Sequence, residues 1–158
     1  MSEFGMTEWI VAGFLFLLAV ATLIRGYLVL RFHRHMKHAK KIFRHHREHL
    51  EAKFFDIAAR SGKPRGLKWV HCDFSDAVCH ARDREDGTLL ALVAVKIGFE
   101  AIEEDLLEDV DAVNEVRVAT AVFHFEENRW VTRGRALFNL DPFEAIDRLH
   151  DVMEKTND

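Results

Sequence analysis

Three patterns of hydrophobic and polar positions follow one another along the chain. Trp9–Ile24 (WIVAGFLFLLAVATLI) runs sixteen residues without a charge. Residues 31–60 repeat apolar positions every three or four, the period of a helix face. From Gly66 onward the repeat shortens towards the two-residue alternation of strands.

As a helix the first run measures roughly 24 Å, and Gly26 to Leu30 beyond Arg25 extend it to about 33 Å, enough for a ~30 Å hydrocarbon core. Arg25 lies near one end, where its long stem lets the guanidinium reach headgroups. Trp9 and Tyr27 fall near the two ends, where aromatic belts form. A cleaved signal peptide is the competing reading, and Ala19-Val20-Ala21 resembles a cleavage site. Its leading region should be basic, however, whereas Glu3 and Glu8 are the only charges before the run. A buried core helix is rarely so apolar all round. Residues 1–30 therefore read as a spanning anchor in a lipid bilayer.

Residues 31–61 contain no Pro and no Gly, so the pattern predicts a helix continuing from the anchor. Phe32, Met36, Ala39, Ile42/Phe43, Leu50, Phe54 and Ile57 form a stripe suited to packing or to lying on lipid. Ser61-Gly62-Lys63-Pro64-Arg65-Gly66 should stop this helix and open a new domain at residue 62.

In the third region, Leu67–Asp73, Ala77–Asp83 and the long apolar Thr88–Phe99 read as strands. Val116–Glu126 and Arg129–Leu140 read as a hairpin on Glu127-Asn128. That register pairs Phe125 with Trp130, Phe123 with Thr132, Ala121 with Gly134 and Ala119 with Ala136. It makes a strip of small residues that a helix can approach. The opposite face (Thr120, Val122, His124) should look towards solvent. Asp141-Pro142-Phe143-Glu144 carries a capping-box signal for a final helix. The stripe Phe143, Ile146, Leu149 and Met153 on that helix is expected to cover the small-residue strip. Residues 100–115 hold eight acids and no base, with apolar positions at helical spacing, which predicts a short amphipathic helix. The expected fold is α+β: a single transmembrane helix, a basic juxtamembrane helix, and an antiparallel sheet of about five strands with a C-terminal helix.

Charge sharpens this division. The chain carries −4 overall, with ten His counted neutral, but residues 25–65 hold twelve Lys/Arg against three acids and residues 66–158 hold ten against twenty-one. A tail at −11 repels phosphate, which excludes a nucleic-acid partner for that part. The cations crowd only the downstream flank of the apolar run, so the N-terminus should face out and the C-terminal domain the cytoplasm. Arg31, Arg34, Lys37, Lys40, Lys41, Arg44 and Arg47 are the candidates for contact with anionic lipid headgroups.

Six His fall between His33 and His49. His45/His49 and His35/His38 have helical spacing for chelating a metal ion or answering pH. The surrounding Lys and Arg oppose a cation, and two His complete no tetrahedral site, so no metal is assigned. His71-Cys72 and Cys79-His80 mirror each other, but consecutive strand residues point to opposite faces, which argues against a shared zinc ion. The two thiols would be reduced in the cytoplasm, either facing one another across a hairpin or filling core space. Arg133 and Arg135 form a possible anion-binding face.

The chain lacks a nucleophile elbow, a phosphate-cradling Gly-rich loop and HExxH. Composition and motifs thus favour a membrane-anchored binding or scaffolding module with an unidentified protein partner and no cofactor. A sensor or enzyme with a pocket between sheet and helix, and a His-rich pH or metal switch, are the alternatives.

Overall fold

The computed structural model describes residues 3–61, 67–101 and 116–156. Their elements are helix α1 (Glu3–Arg60), strands β1 (Leu67–Asp83), β2 (Leu89–Ala101), β3 (Val116–Glu126) and β4 (Arg129–Phe138), helix α2 (Pro142–Arg148) and strand β5 (Met153–Lys155). The chain forms two units, residues 1–41 and residues 42–158. The first is the N-terminal part of α1. The second contains the rest of α1 and all five strands.

Within the second unit the strands make one antiparallel sheet in the order β4-β3-β2-β1-β5. β2 is central and nearly all apolar because both its faces are covered: odd positions such as Val93, Val95 and Ile97 lie on one side, Leu90 and Leu92 on the other, all essentially inaccessible. The sheet curls. Strands β1 and β4 are not neighbours, yet Trp69 meets Phe138 at 6.3 Å and His80 meets Trp130 at 6.4 Å between ring centroids.

The concave side of this curl holds residues 42–60 of α1. Phe43 sits edge-on to Phe123 and Trp130, at 5.4 and 5.0 Å. Phe54 does the same with Phe74 at 5.7 Å and Trp69 at 6.3 Å. Rings meet edge to face because the positive rim of one finds the negative face of the other, each contact adding ~0.5–1.5 kcal/mol beyond area burial. From residue 42 onward, then, the apolar stripe of the basic helix packs against protein. Ser61 ends α1: its amide donates to Ile57 and Ala58 carbonyls, and its hydroxyl donates to Ala58 O at 2.6 Å.

The structure corrects three expectations. The two strands expected over Leu67–Asp83 are one, β1, bent by irregularities between Trp69 and His71 and between Phe74 and Val78. The β3–β4 hairpin keeps the expected register from its tip to Phe123–Thr132. Beyond that it shifts, pairing Ala121 with Ala136 and Ala119 with Phe138. The extra length is absorbed around Gly134, which adopts φ +67° and donates its amide to Thr132 Oγ1 at 3.1 Å. At the tip, Glu127 and Asn128 both take positive φ, the conformation of a tight turn matched to strand twist.

The third correction concerns which helix covers which face. The small-residue strip lies under α1: a Cβ added at Gly134 would stand 2.8 Å from the Ala58 backbone nitrogen and 2.8 Å from Ile57 Cγ2. α2 sits on the opposite face, where Ala81, Leu90, Leu92, Val122, Ile146 and Met153 form a second core. Val122, expected towards solvent, is therefore 1 % exposed. The capping box is present as read. Asp141 accepts from the Phe143 and Glu144 amides at 2.8 and 3.0 Å, and Glu144 returns a longer contact to the Asp141 amide at 3.4 Å. The helix nevertheless ends at Arg148, and Met153 reaches the core from β5, which pairs with Ala81–Asp83 of β1. Phe143, expected on the buried stripe, is 57 % exposed. The acidic helix expected over 100–115 falls largely outside the described residues; Glu100 and Ala101 belong to β2.

Gly134→Ala should be costly for two independent reasons, the left-handed backbone and the helix at van der Waals distance. We expect a loss of about 2–4 kcal/mol, read as a lower urea midpoint at unchanged slope.

Candidate functional site

Three regions carry chemistry-bearing side chains: the apolar and basic segments of α1, the β1 strand with its flanking clefts, and the turn region around His124.

In α1, Trp9–Tyr27 is the one candidate span among the described residues, with mean hydropathy 2.0 and none of it buried. Trp9 is 81 % and Leu23 73 % exposed. Along the rest of the helix Arg34, His35, Lys37, His38, Lys41, Arg44, His45 and His49 are exposed and Lys40 half-buried. The side chains of Arg31 and His33 lie outside the described set. His46 is engaged locally, its Nδ1 3.1 Å from Ile42 O. Among the described residues no three His, Cys, Asp or Glu side chains gather where they could hold a metal ion.

Arg47 differs from the other cations. Its Nε donates to Glu51 at 2.6 Å, one Nη donates to Asp76 O at 2.9 Å, and the other donates to Ser75 O. Ser75 and Asp76 lie where β1 leaves the register of β2, so their carbonyls need a partner other than a neighbouring strand. Arg47 supplies it with a planar fork that meets both. In the sequence this role is hidden, because Arg47 stands in a run of cations that looks uniformly solvated.

The mirrored His–Cys pairs lie on β1 and divide between the two faces. Cys72 lines a cleft with Ala52 and Phe55 on the α1 side, whereas Cys79 packs against the α2-side core. The alternative in which the thiols face one another across a hairpin is thus excluded, since both belong to one strand. Burial, followed by the neighbouring Asp73 carboxylate, pushes the Cys72 thiol up to about 12. A thiol raised this far carries little of the nucleophilic thiolate near neutral pH. His71 lies over Gly98, which has no side chain to obstruct the ring, and its Nε2 is 3.9 Å from Asp73 Oδ2.

Two open clefts flank this strand. One, of about 380 Å³, lies between Glu51, Ala52, Phe55 and Asp56 of α1 and Val70, His71, Cys72 and Phe74 of β1. The other, of about 360 Å³, lies among Asp73, Phe74, Ser75, Ala94, Val95, Lys96 and Val118. Next to the second cleft the α2-side face is exposed among the described residues: Val116 is 51 % and Val118 47 % exposed.

Arg133 is held by Glu126 at 2.7 Å, and Arg135 is exposed. Both bear on His124, which the β3–β4 hairpin holds half-buried with a buried Nδ1 that has no hydrogen-bond partner among the described residues. Burial lowers its pKa first, and Arg133 lowers it further, so folding disfavours the protonated imidazole.

Taken together, the architecture is an α+β chain with one N-terminal helix long and apolar enough to cross a membrane, a small second helix and a curled five-stranded antiparallel sheet. No family model, curated protein or solved structure matches this chain. The functional reading therefore rests on geometry and charge alone.

Two measurements probe these sites. Cys72 should resist iodoacetamide at pH 8 in the folded protein and react at least 100-fold faster in urea, followed by peptide mass spectrometry; equal rates would show an open, reactive thiol. For His124, a lowered folded pKa means that the unfolded state binds more protons below its ordinary value near 6.5. Its contribution to stability is complete above that pH and is lost as the pH falls towards the folded value. The urea midpoint should therefore drop more steeply from pH 7.5 to 5.5 in the native chain than in His124→Gln.

Proposed function

We propose that this chain is a single-pass membrane protein whose α1 anchors a binding or scaffolding domain, residues 42–158, in the cytoplasm. The observation that carries the reading is that none of Trp9–Tyr27 is buried. Nineteen residues at 1.5 Å each match a hydrocarbon core of ~30 Å. An exposed apolar rod of that size in water would be covered by association; lipid covers it without a partner. Orientation follows the charges, with Glu3 and Glu8 on one flank and six Lys/Arg from Arg25 to Lys41 on the other.

A binding role is supported by how the domain is filled. Phe43, Phe54 and Phe123 are at most 1 % exposed and fill the centre of the helix–sheet contact, leaving an open cleft of about 380 Å³ between α1 and β1. The exposed patch around Val116, Val118 and Lys96 offers a shallow, mixed apolar and charged surface of the kind protein partners use.

The test is topological. Full-length protein should stay with membranes through alkaline carbonate extraction. Protease added outside intact cells should remove an N-terminal epitope and spare a C-terminal one. Release by carbonate, or loss of the C-terminal epitope, would overturn the proposal.

A further inference from the structure

We infer that the cleft between α1 and β1 takes a lysine or arginine side chain from a basic peptide segment of a partner protein. This deepens the binding role proposed above and makes no use of the anchor. The cleft, of about 380 Å³, lies wholly within the second unit, between residues 51–56 of α1 and 70–74 of β1.

Its lining divides by chemistry. Ala52, Phe55, Val70 and Phe74 give apolar surface, and the short side chain of Ala52 leaves room beside the Phe55 ring. Phe55 and Phe74 are half-buried, their rings set against Trp69 and Phe54. Glu51 and Asp56 give carboxylates, and among the described residues no Lys or Arg lines the cleft. The two acids are not equivalent. Glu51 accepts from Arg47 Nε at 2.6 Å, whereas Asp56 is exposed and pairs with no cation among the described residues.

This combination matches a long cationic side chain. Lys and Arg carry an apolar stem that gains by lying on apolar surface and a charged head that stays at the wet rim. A ring beside that head attracts it further. An acidic head would meet Glu51 and Asp56 as like charges. A wholly apolar group would strip water from them and return no hydrogen bond. The open shape selects the source. Small-molecule sites enclose most of their ligand, whereas an open cleft suits a side chain whose own backbone stays outside. At longer range residues 42–158 carry sixteen Lys/Arg against twenty-four acids, so the unit as a whole attracts a basic segment.

The experiment uses the full chain in phosphatidylcholine nanodiscs, whose lipid has no net charge, and a fluorescein-labelled peptide of alternating Lys and Ala. Fluorescence anisotropy should show saturable binding, and the same peptide with Gln in place of Lys should not bind. Asp56→Asn should weaken binding roughly threefold to fivefold. Glu85→Gln removes an exposed acid outside the cleft and should leave the affinity unchanged. Ala52→Phe, at an exposed helix position, should fill the cleft and remove binding while the urea midpoint stays in place. Butylamine should displace the peptide only in large excess.

Absence of binding by the native chain, equal loss in Asp56→Asn and Glu85→Gln, or full binding by a folded Ala52→Phe would overturn the inference. Butylamine competing as well as the peptide would give the cleft to a free amine and overturn the peptide source. Self-association of the native chain that Ala52→Phe abolishes would give it to a second copy. None of these outcomes touches the anchor, which carbonate extraction reads separately, or the surface around Val116 and Val118.

Discussion

The sheet domain depends on the seating of residues 42–60 of α1 inside the curled sheet. Phe43 and Phe54 are the two knobs of that contact, and each touches aromatic rings from more than one strand. The contact is close only because the sheet offers small residues beneath the helix backbone: Ala121, buried, and Gly134, whose missing side chain lets the Ala58 backbone approach. The shift in the β3–β4 register, the positive φ at Gly134 and the curl of the sheet are parts of the same fit. A straight hairpin in the register of its tip would pair Gly134 with Ala121, without the displacement that carries Gly134 beneath Ala58.

This dependence explains what could and could not be read from the chain. Period and turn chemistry sufficed for the elements themselves. The apolar span, the Glu127-Asn128 turn, the Asp141 capping box and an antiparallel sheet all follow from local residue choice. Matters of partnership were not local. The stripe from Phe43 to Ile57 is equally suited to lipid and to protein, and nothing within it says which. Likewise the small-residue strip announces that a helix approaches, not which helix. α2 was the candidate because it follows the hairpin directly, yet with one buried turn around Ile146 it suffices only for the other face. The fifth strand illustrates the same limit. Five were expected with β1 counted twice; the fold reaches five by adding Met153–Lys155, whose apolar Met153 looked like the end of a helix stripe.

Site chemistry was less legible still, because it depends on what neighbours a side chain. Arg47 stands in a cationic run, but the β1 irregularity at Ser75-Asp76 gives it a structural task. Cys72 and Cys79 fall on opposite faces of one strand, which a hairpin reading of the sequence did not anticipate. The lowered pKa of His124 follows from packing and from Arg133, neither of which is adjacent in the chain.

Order of synthesis gives the α1 contact a further meaning. The helix that fills the sheet leaves the ribosome before any strand that encloses it, and β4, which carries Gly134, is among the last to emerge. Until then Phe43, Leu50 and Phe54 stand uncovered on a nascent chain, a state in which exposed apolar stripes invite wrong partners. A proteolytic product beginning after Ser61 would have the converse defect, since it would keep every strand and lose the plug around which they curl.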